Sequence, residues 1–215
     1  MRKQYVFALF ILSGVLAGIL IASLIFAVTG KSVFGKIRNN PTSASQVNNA
    51  ELTAFAYRVL EMINEEDFNA LSRVTHPELG LVFSPHATIS LATNKCFQAE
   101  QVAQFGTDAK LYVWGVYSSS GSPIELTVAD YFAEFVKDMD YTDAAIIGVN
   151  HIVRSGNALE NITDVMRDAL FIDFHIPGSR INGGEDYEWS SLRLGFEEYD
   201  GSLWLTLILR STWTD

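Results

Sequence analysis

The sequence predicts an α+β protein in which an N-terminal transmembrane helix is followed by a curved, mostly antiparallel sheet that packs on helices. Three observations favour this fold class. The chain starts with a long uncharged apolar run, its middle repeats apolar residues every three or four positions, and its last third is rich in β-branched and aromatic residues. Hydrophobic residues make up 48% of the 215 positions, which is enough for a packed core.

Residues 5–29, with the sequence YVFALFILSGVLAGILIASLIFAVT, contain no charged side chain. About 20 apolar residues cross the ~30 Å hydrocarbon core of a bilayer, whereas the apolar region of a cleavable signal peptide has only about 7–15 residues. Residues 1–38, which include the flanking basic residues, are therefore predicted to form an uncleaved single-pass anchor, with cleavage as the alternative. Gly14 and Gly18 have small-xxx-small spacing, which is typical of helices that associate in membranes. A homodimer that forms through this helix is therefore a further alternative.

Charge is distributed unevenly along the chain. Five of the 15 basic residues lie before residue 47, and all 25 acids lie after residue 50. Because nucleic acid binding needs a clustered basic surface, the acidic remainder argues against a nucleic acid partner. Basic residues flank both ends of the apolar run, so the positive-inside rule does not fix the orientation. We expect a domain held at the cell membrane on its extracytoplasmic side, and the inverted topology stays open.

Residues 39–49, NNPTSASQVNN, are polar, lack an apolar period and contain Pro41. This composition is typical of a flexible linker. The folded domain is therefore predicted to span residues 50–215. The single cysteine, Cys96, excludes an intrachain disulfide and a thiolate zinc cluster.

Helices are predicted in the first half of this domain. Residues 50–64 carry an apolar face with helical spacing, formed by Leu52, Phe55, Ala56, Val59, Leu60 and Ile63. A second helix is predicted over residues 67–74, with Asp67 as its N-cap and Pro77 beyond its end. Shorter helices are predicted over residues 98–105 and 128–139.

Strands are predicted around these helices and in the last third of the chain. The turn sequence SSSG separates two extended segments, and Asp200-Gly201 is a strong hairpin signal between the last two strands. The predicted strands cover residues 80–84, 110–117, 122–128, 144–153, 169–176, 190–199 and 202–213. The predicted helices come first along the chain and a mostly antiparallel sheet follows. This order favours a sheet that curls around a helix, as in a cone of the nuclear-transport-factor-2 type.

Four segments resemble a family of poorly characterised bacterial envelope proteins, many of them lipoproteins of Gram-positive bacteria. These segments are HPELGLVFSP, YVWGVYSSSGSPIELTVADYFAEFVKDMDY, GVNHIVRSGNALENI and WSSLRLGFEEYDGSLWLTLILRSTWTD. The resemblance implies an exported, membrane-tethered domain and brings no established activity. Because a cysteine after the apolar run is absent here, lipidation is not expected.

Metal and covalent chemistry find little support in the sequence. The four histidines, His76, His86, His151 and His175, do not have the spacing of a metal-binding helix. Neither a Gly-x-Ser-x-Gly motif nor a Gly-rich phosphate loop is present. We therefore predict no metal site, no cofactor and no catalytic residue that a motif identifies.

Several polar residues are nevertheless candidates for a pocket. Asp173 and His175 lie two apart in a predicted strand, so they share one face and could pair. His76 lies at a helix end, where the dipole favours a charged ring. Arg193 is interpreted as a structural ion-pair partner in preference to an anion anchor, and His151 as an ordinary strand residue in preference to a pocket residue.

Tryptophan residues are candidates for ligand stacking, with burial in the core as the more ordinary interpretation. Trp114 lies within a predicted strand. Trp189 follows the acidic sequence GGEDYE and is therefore predicted to be the most exposed of the four tryptophans. The candidate binding residues are thus His76, Trp114, His151, Asp173, His175, Trp189 and Arg193.

Two hypotheses for function follow from these patterns. The leading one is a membrane-anchored, extracytoplasmic, non-catalytic domain that binds a small ligand or an envelope protein. The alternative is a small enzyme whose acid-base pocket is built from His76, Asp173 and His175. Convergence of these three side chains in one concave pocket would distinguish the two.

Overall fold

The computed structural model describes residues 47–166, 170–178 and 188–213. The predicted anchor and most of the predicted linker lie outside these ranges. All described residues belong to one compact unit, Thr42–Asp215. Within the described ranges, no helix is both long enough and apolar enough to cross a membrane.

The first helix, α1 (Asn49–Asn64), forms as its apolar period predicts. Its N-terminus is capped by the Asn48 side chain, which accepts a hydrogen bond from the backbone N–H of Glu51. All six residues of the predicted apolar face are buried. A second helix, α2 (Phe68–Val74), begins at the predicted cap, since Asp67 accepts from the N–H of Ala70.

The remaining helices are short. They are α3 (Ala99–Val102), a 3₁₀ turn (Phe105–Thr107), α4 (Val128–Tyr131) with a π-helical turn directly after it (Phe132–Val136), a second 3₁₀ turn (Tyr141–Asp143) and α5 (Ile162–Val165). The predicted helix over residues 128–139 therefore changes its winding after the first turn.

Within the described residues, six strands form the main sheet: β1 (Leu81–Ser84), β2 (Lys95–Phe97), β5 (Ile146–Val149), β6 (Leu170–Ile176), β7 (Ser190–Tyr199) and β8 (Ser202–Thr212). Their order is β2-β1-β8-β7-β6-β5. Strand β1 runs parallel to β8, and the other pairs are antiparallel. Two further strands, β3 (Tyr112–Val116) and β4 (Pro123–Leu126), form a separate antiparallel hairpin.

The predicted fold class, with a curved, mostly antiparallel sheet of the cone type, is wrong. The transmembrane helix of that prediction lies outside the described residues. The sheet is mixed because β1 pairs in parallel with β8. The described helices are few, and all except α1 have seven residues or fewer. The parallel pairing of Val82 with Leu207 joins segments that are far apart in the sequence. No local sequence pattern therefore predicts it.

The six-stranded sheet has two different faces. One face carries apolar residues such as Ile172, Leu194 and Ile208, which belong to the hydrophobic core. Helix α1 packs on this face, where the rings of Tyr57 and Phe174 lie 5.2 Å apart. By strand alternation, the opposite face carries a row of buried polar residues: Asp173, His175, Ser191, Arg193 and Ser211. We call it the polar face.

An aromatic cluster joins the hairpin to the sheet. Phe83 of β1 lies 5.4 Å from the ring of Trp114 in β3. Trp114 in turn stacks on Tyr131, with ring centroids 3.8 Å apart and an interplanar angle of 9°. The inner face of the hairpin is thereby buried, which leaves its outer face to solvent.

Candidate functional site

The polar face is centred on Arg193, which lies on β7 directly opposite Asp173 on β6. Both side chains are 0% exposed. The Nε of Arg193 donates to Oδ2 of Asp173 at 3.0 Å, and the backbone N–H of Val153 donates to the same oxygen at 2.9 Å. Asp173 therefore fixes the guanidinium from the sheet side.

A segment without helix or strand, residues 150–161, covers this ion pair, and we call it the strap. Its Glu160 accepts from both terminal nitrogens of Arg193, with Nη2 at 3.0 Å from Oε1 and Nη1 on Oε2. Nη2 also donates to the carbonyl oxygen of Arg154 at 3.0 Å. Burial alone would lower the pKa of Arg193, but the charges of Asp173 and Glu160 outweigh burial and raise that pKa above its usual value.

His175 and Trp189 lie at the same end of the polar face. The Nδ1 of His175 lies 2.9 Å from Oγ of Ser191, its cross-strand partner. The rings of His175 and Trp189 are 5.6 Å apart. The predicted sharing of one face by Asp173 and His175 is confirmed, and each also contacts a residue of β7 that lies opposite it.

Trp189 is 1% exposed, so the prediction that it is the most exposed tryptophan is wrong. It directly precedes β7 and points to the polar face, where the guanidinium carbon of Arg154 lies 5.5 Å from its ring centroid. Trp114 is also buried, and its Nε1 donates to the carbonyl oxygen of Leu126 at 3.0 Å. His151 lies in the strap and is exposed, beyond the end of β5 rather than in a strand as predicted.

His76 lies elsewhere, at the corner between α2 and β1. Its Nδ1 accepts hydrogen bonds from the backbone N–H groups of Glu78 and Leu79, both at 3.1 Å. Nδ1 therefore carries no proton, and the ring is neutral with its proton on Nε2. Burial lowers the pKa of His76, and the nearby charge of Glu78 opposes this only in part. The expectation that the helix end holds His76 charged is wrong because the ring is shielded from water and accepts from two amides.

We expect the free energy of unfolding to fall as the pH drops through about 6.5, the usual pKa of histidine in an unfolded chain. The folded state resists protonation of His76, so the unfolded state binds the proton first and gains stability. Urea denaturation between pH 5 and 8 measures this. In His76→Asn the amide oxygen can accept from the same backbone N–H groups without titrating, and its pH dependence should be shallower; equal slopes in both proteins would contradict the assignment.

The structure brings four of the predicted residues together, namely Asp173, His175, Trp189 and Arg193. It does not bring His76 to them. The His76 ring lies 4.9 Å from Tyr199 at the far end of β7. The eight residue-to-residue steps of strand from Ser191 to Tyr199 span roughly 26 Å. The three residues of the acid-base alternative therefore do not converge.

Glu160 is the residue of the candidate site that could not be identified from the sequence. It lies 33 positions from Arg193 in an irregular segment. No periodic pattern marks such a position. Its only sequence signal is an isolated acid two positions after Ala158 in an otherwise uncharged stretch, which is too common to be specific.

A shallow cleft lies between the hairpin and the loop that follows β1. Its lining includes Pro85, His86, Gly115, Val116 and Ala158, and its volume is about 190 Å³. The His86 Nε2 lies 2.8 Å from the carbonyl oxygen of Val116. Pockets for drug-sized molecules usually have volumes of about 300–1,000 Å³, so this cleft is small for a ligand of that size. Within the described ranges, no group of three or more potential ligands could hold a metal ion.

Three exposed aliphatic side chains lie on the outer face of β3 and directly before this strand. Leu111, Val113 and Val116 are 61%, 50% and 49% exposed. A register shift between Val113 and Val116 places both side chains outward, although strand alternation alone would put them on opposite faces. We call these three residues the apolar strip.

Comparisons with known proteins add little to this geometry. No protein-family model matches the chain, and no curated protein matches it. Among solved structures, the chain is similar to the 1.8 Å structure of Aln2 from a Streptomyces species, with 10% sequence identity and a TM-score of 0.32. That likeness covers 76% of this chain and 89% of the other, and it is too weak to support a fold or a function. The resemblance to bacterial envelope proteins stays a prediction.

Proposed function

We propose that the domain is a non-catalytic binding module that contacts another protein through the apolar strip. The proposal rests on the apolar strip. Three aliphatic side chains, each about half exposed or more, lie within six residues of one another, on and directly before a strand of a hairpin that is not part of the main sheet. Exposed apolar residues that occur singly are ordinary, whereas several that form one patch are a feature of protein interfaces.

The buried polar residues support a binding role over acid-base catalysis. Asp173 and Glu160 both pair with Arg193, and Nδ1 of His76 is occupied by two backbone amides. A catalytic acid or base must reach the proton that it transfers. These groups are instead occupied by contacts within the chain, between the sheet and the strap and within the α2–β1 corner.

A cell-envelope protein is the expected partner. This expectation rests on the predicted extracytoplasmic location, which depends on the sequence alone. The partner surface should be apolar at its centre and basic at its edge, because the part of this chain after residue 50 contains all 25 acids.

A photo-crosslinking amino acid at Val113, introduced into the full chain in its native cells, should give one discrete adduct with a different protein. Val116→Glu is expected to reduce that adduct at least about tenfold, because a charge at the centre of an apolar contact must be desolvated. Ile146→Glu is the matched control, since Ile146 is 48% exposed and lies on β5 at an edge of the main sheet.

An unchanged adduct in Val116→Glu, or equal losses in the two glutamate variants, would contradict the proposal. An adduct of twice the mass of the chain would show a second copy on the strip and would overturn the assignment to a different partner. Equal melting temperatures of the variants establish that the effect is not unfolding.

A further inference from the structure

The two terminal nitrogens of the Arg193 guanidinium, Nη1 and Nη2, hold a carboxylate in the geometry that proteins use for anionic ligands. We call this pair of donors the fork. The two nitrogens donate to the two oxygens of Glu160, one bond to each. This paired arrangement matches the planar guanidinium to the planar carboxylate, and it gives both strength and direction to the contact. Any carboxylate that reached the same position would find the same two donors.

The guanidinium is fixed without help from Glu160. Arg193 lies on β7, which is between β6 and β8 in the sheet. Its Nε is bound to Asp173 at 3.0 Å, and Nη2 is bound to the Arg154 carbonyl oxygen at 3.0 Å. Because these two contacts define the plane of the guanidinium, the direction of the fork is set in advance.

The strap is also held without the Glu160 side chain. Next to Glu160, the carbonyl oxygen of Leu159 accepts from Thr88 Oγ1 at 2.7 Å. On the other side, Asn161 exchanges two hydrogen bonds with the backbone of Ile89, at 2.7 and 2.9 Å. In the described part of the chain, the Glu160 side chain binds only Arg193. Removing that side chain should therefore expose the fork while the strap stays in place.

A second observation points to a ligand beside the fork. Oδ1 of Asp173 is buried and has no hydrogen-bond partner within the described residues, and the same is true of Nε1 of Trp189 on this face. Buried polar atoms without partners are uncommon and costly. The Glu160 side chain is 12% exposed, so the site has a route to solvent.

We propose that Arg193 forms a binding site for a small carboxylate molecule, and that Glu160 occupies this site from within the chain. The carboxylate of the ligand would take the place of the Glu160 carboxylate on Nη1 and Nη2. A ligand with a hydrogen-bond donor near its carboxylate would in addition satisfy Oδ1 of Asp173. This site is separate from the apolar strip, so either proposal can fail alone.

The test is rescue of Glu160→Ala by acetate. This substitution removes two carbons and two oxygens, which are the heavy atoms of acetate. The melting temperature of the variant should be lower than that of wild type, and sodium acetate should restore it saturably by about 3 °C or more relative to sodium chloride at equal ionic strength. Wild type should need at least about tenfold more acetate, because the tethered Glu160 competes at high effective concentration.

Three controls make the result specific. Acetamide, which has the shape of acetate without its charge, should not rescue Glu160→Ala. Glu160→Gln, which keeps the site filled, should not respond to acetate. Glu134→Ala removes an exposed carboxylate that accepts from the Tyr117 hydroxyl, and it should not respond either.

If Glu160→Ala does not fold in chloride, refolding in acetate but not in acetamide is the same test. Equal effects of acetate on all variants, rescue by acetamide, or no rescue in a folded Glu160→Ala would each overturn the proposal.

Discussion

Arg193→Met should lower the free energy of unfolding by about 3–5 kcal/mol, which is the usual effect of breaking a buried ion pair from one side. Asp173, at 0% exposure, and Glu160 would both lose their partner guanidinium. Two carboxylates would then lie close together without a compensating charge. Equilibrium urea denaturation at pH 7 measures the loss.

Two further variants separate this effect from a general loss of packing. Lys137→Met removes a cation from the ion pair with Glu66, whose side chains are 28% and 57% exposed, and it should cost less than about 1 kcal/mol. Adding Asp173→Asn and Glu160→Gln to Arg193→Met should recover part of the lost stability, because no charge is then buried alone. Similar losses of unfolding free energy in Arg193→Met and Lys137→Met would show that the buried ion pair contributes no more to stability than the exposed one.

Trp114→Ala should lower the free energy of unfolding by about 3–5 kcal/mol, as large-to-small changes of aromatic core residues do. Trp114 is 0% exposed, stacks on Tyr131 at 3.8 Å and lies 5.4 Å from the rings of both Phe83 and Phe97. Its removal would leave a cavity where the hairpin meets the sheet. Thermal and urea denaturation should both report the change.

The neighbouring residue provides a matched control for Trp114. Val113 is 50% exposed on the same strand, so Val113→Ala should change the stability by less than about 0.5 kcal/mol. Val113 should instead affect partner binding, if the apolar strip is the contact surface. A Trp114→Ala variant as stable as Val113→Ala would mean that Trp114 does not hold the core.

Local patterns predicted the parts of the fold that local physics determines. The apolar period of α1 and the Asp67 cap of α2 both appear in the structure, because each depends on residues within one or two helical turns. The hairpin at Asp200-Gly201 forms for the same reason, and both residues adopt the positive φ angles that such a turn requires. The parallel pairing of β1 with β8 depends on distant residues, and the sequence contained no signal for it.

The candidate site was predictable to a similar extent. Strand alternation placed Asp173 and His175 on one face, and Arg193 forms an ion pair, as the sequence suggested, with Asp173 across the strands. Glu160 could not be identified, since the strap has no periodic structure. The charge of His76 was predicted wrongly because burial of the ring, whose Nδ1 accepts from two amides of its own loop, outweighs its position at a helix end.

The parallel pairing of β1 with β8 also affects the order in which the domain can be completed. Strands β5 to β8 form neighbouring antiparallel pairs, whereas β1 and β2 join the main sheet only through β8. During synthesis, the ribosome releases β1 long before β8, so β1 and β2 must wait for the last strand before they can join the sheet. Pairing across such a sequence separation is slow, and the exposed edge of β1 is open to association with other chains in that interval. A chaperone that shields β1 until β8 emerges would therefore raise the yield of folded protein more than one that acts on the C-terminal strands.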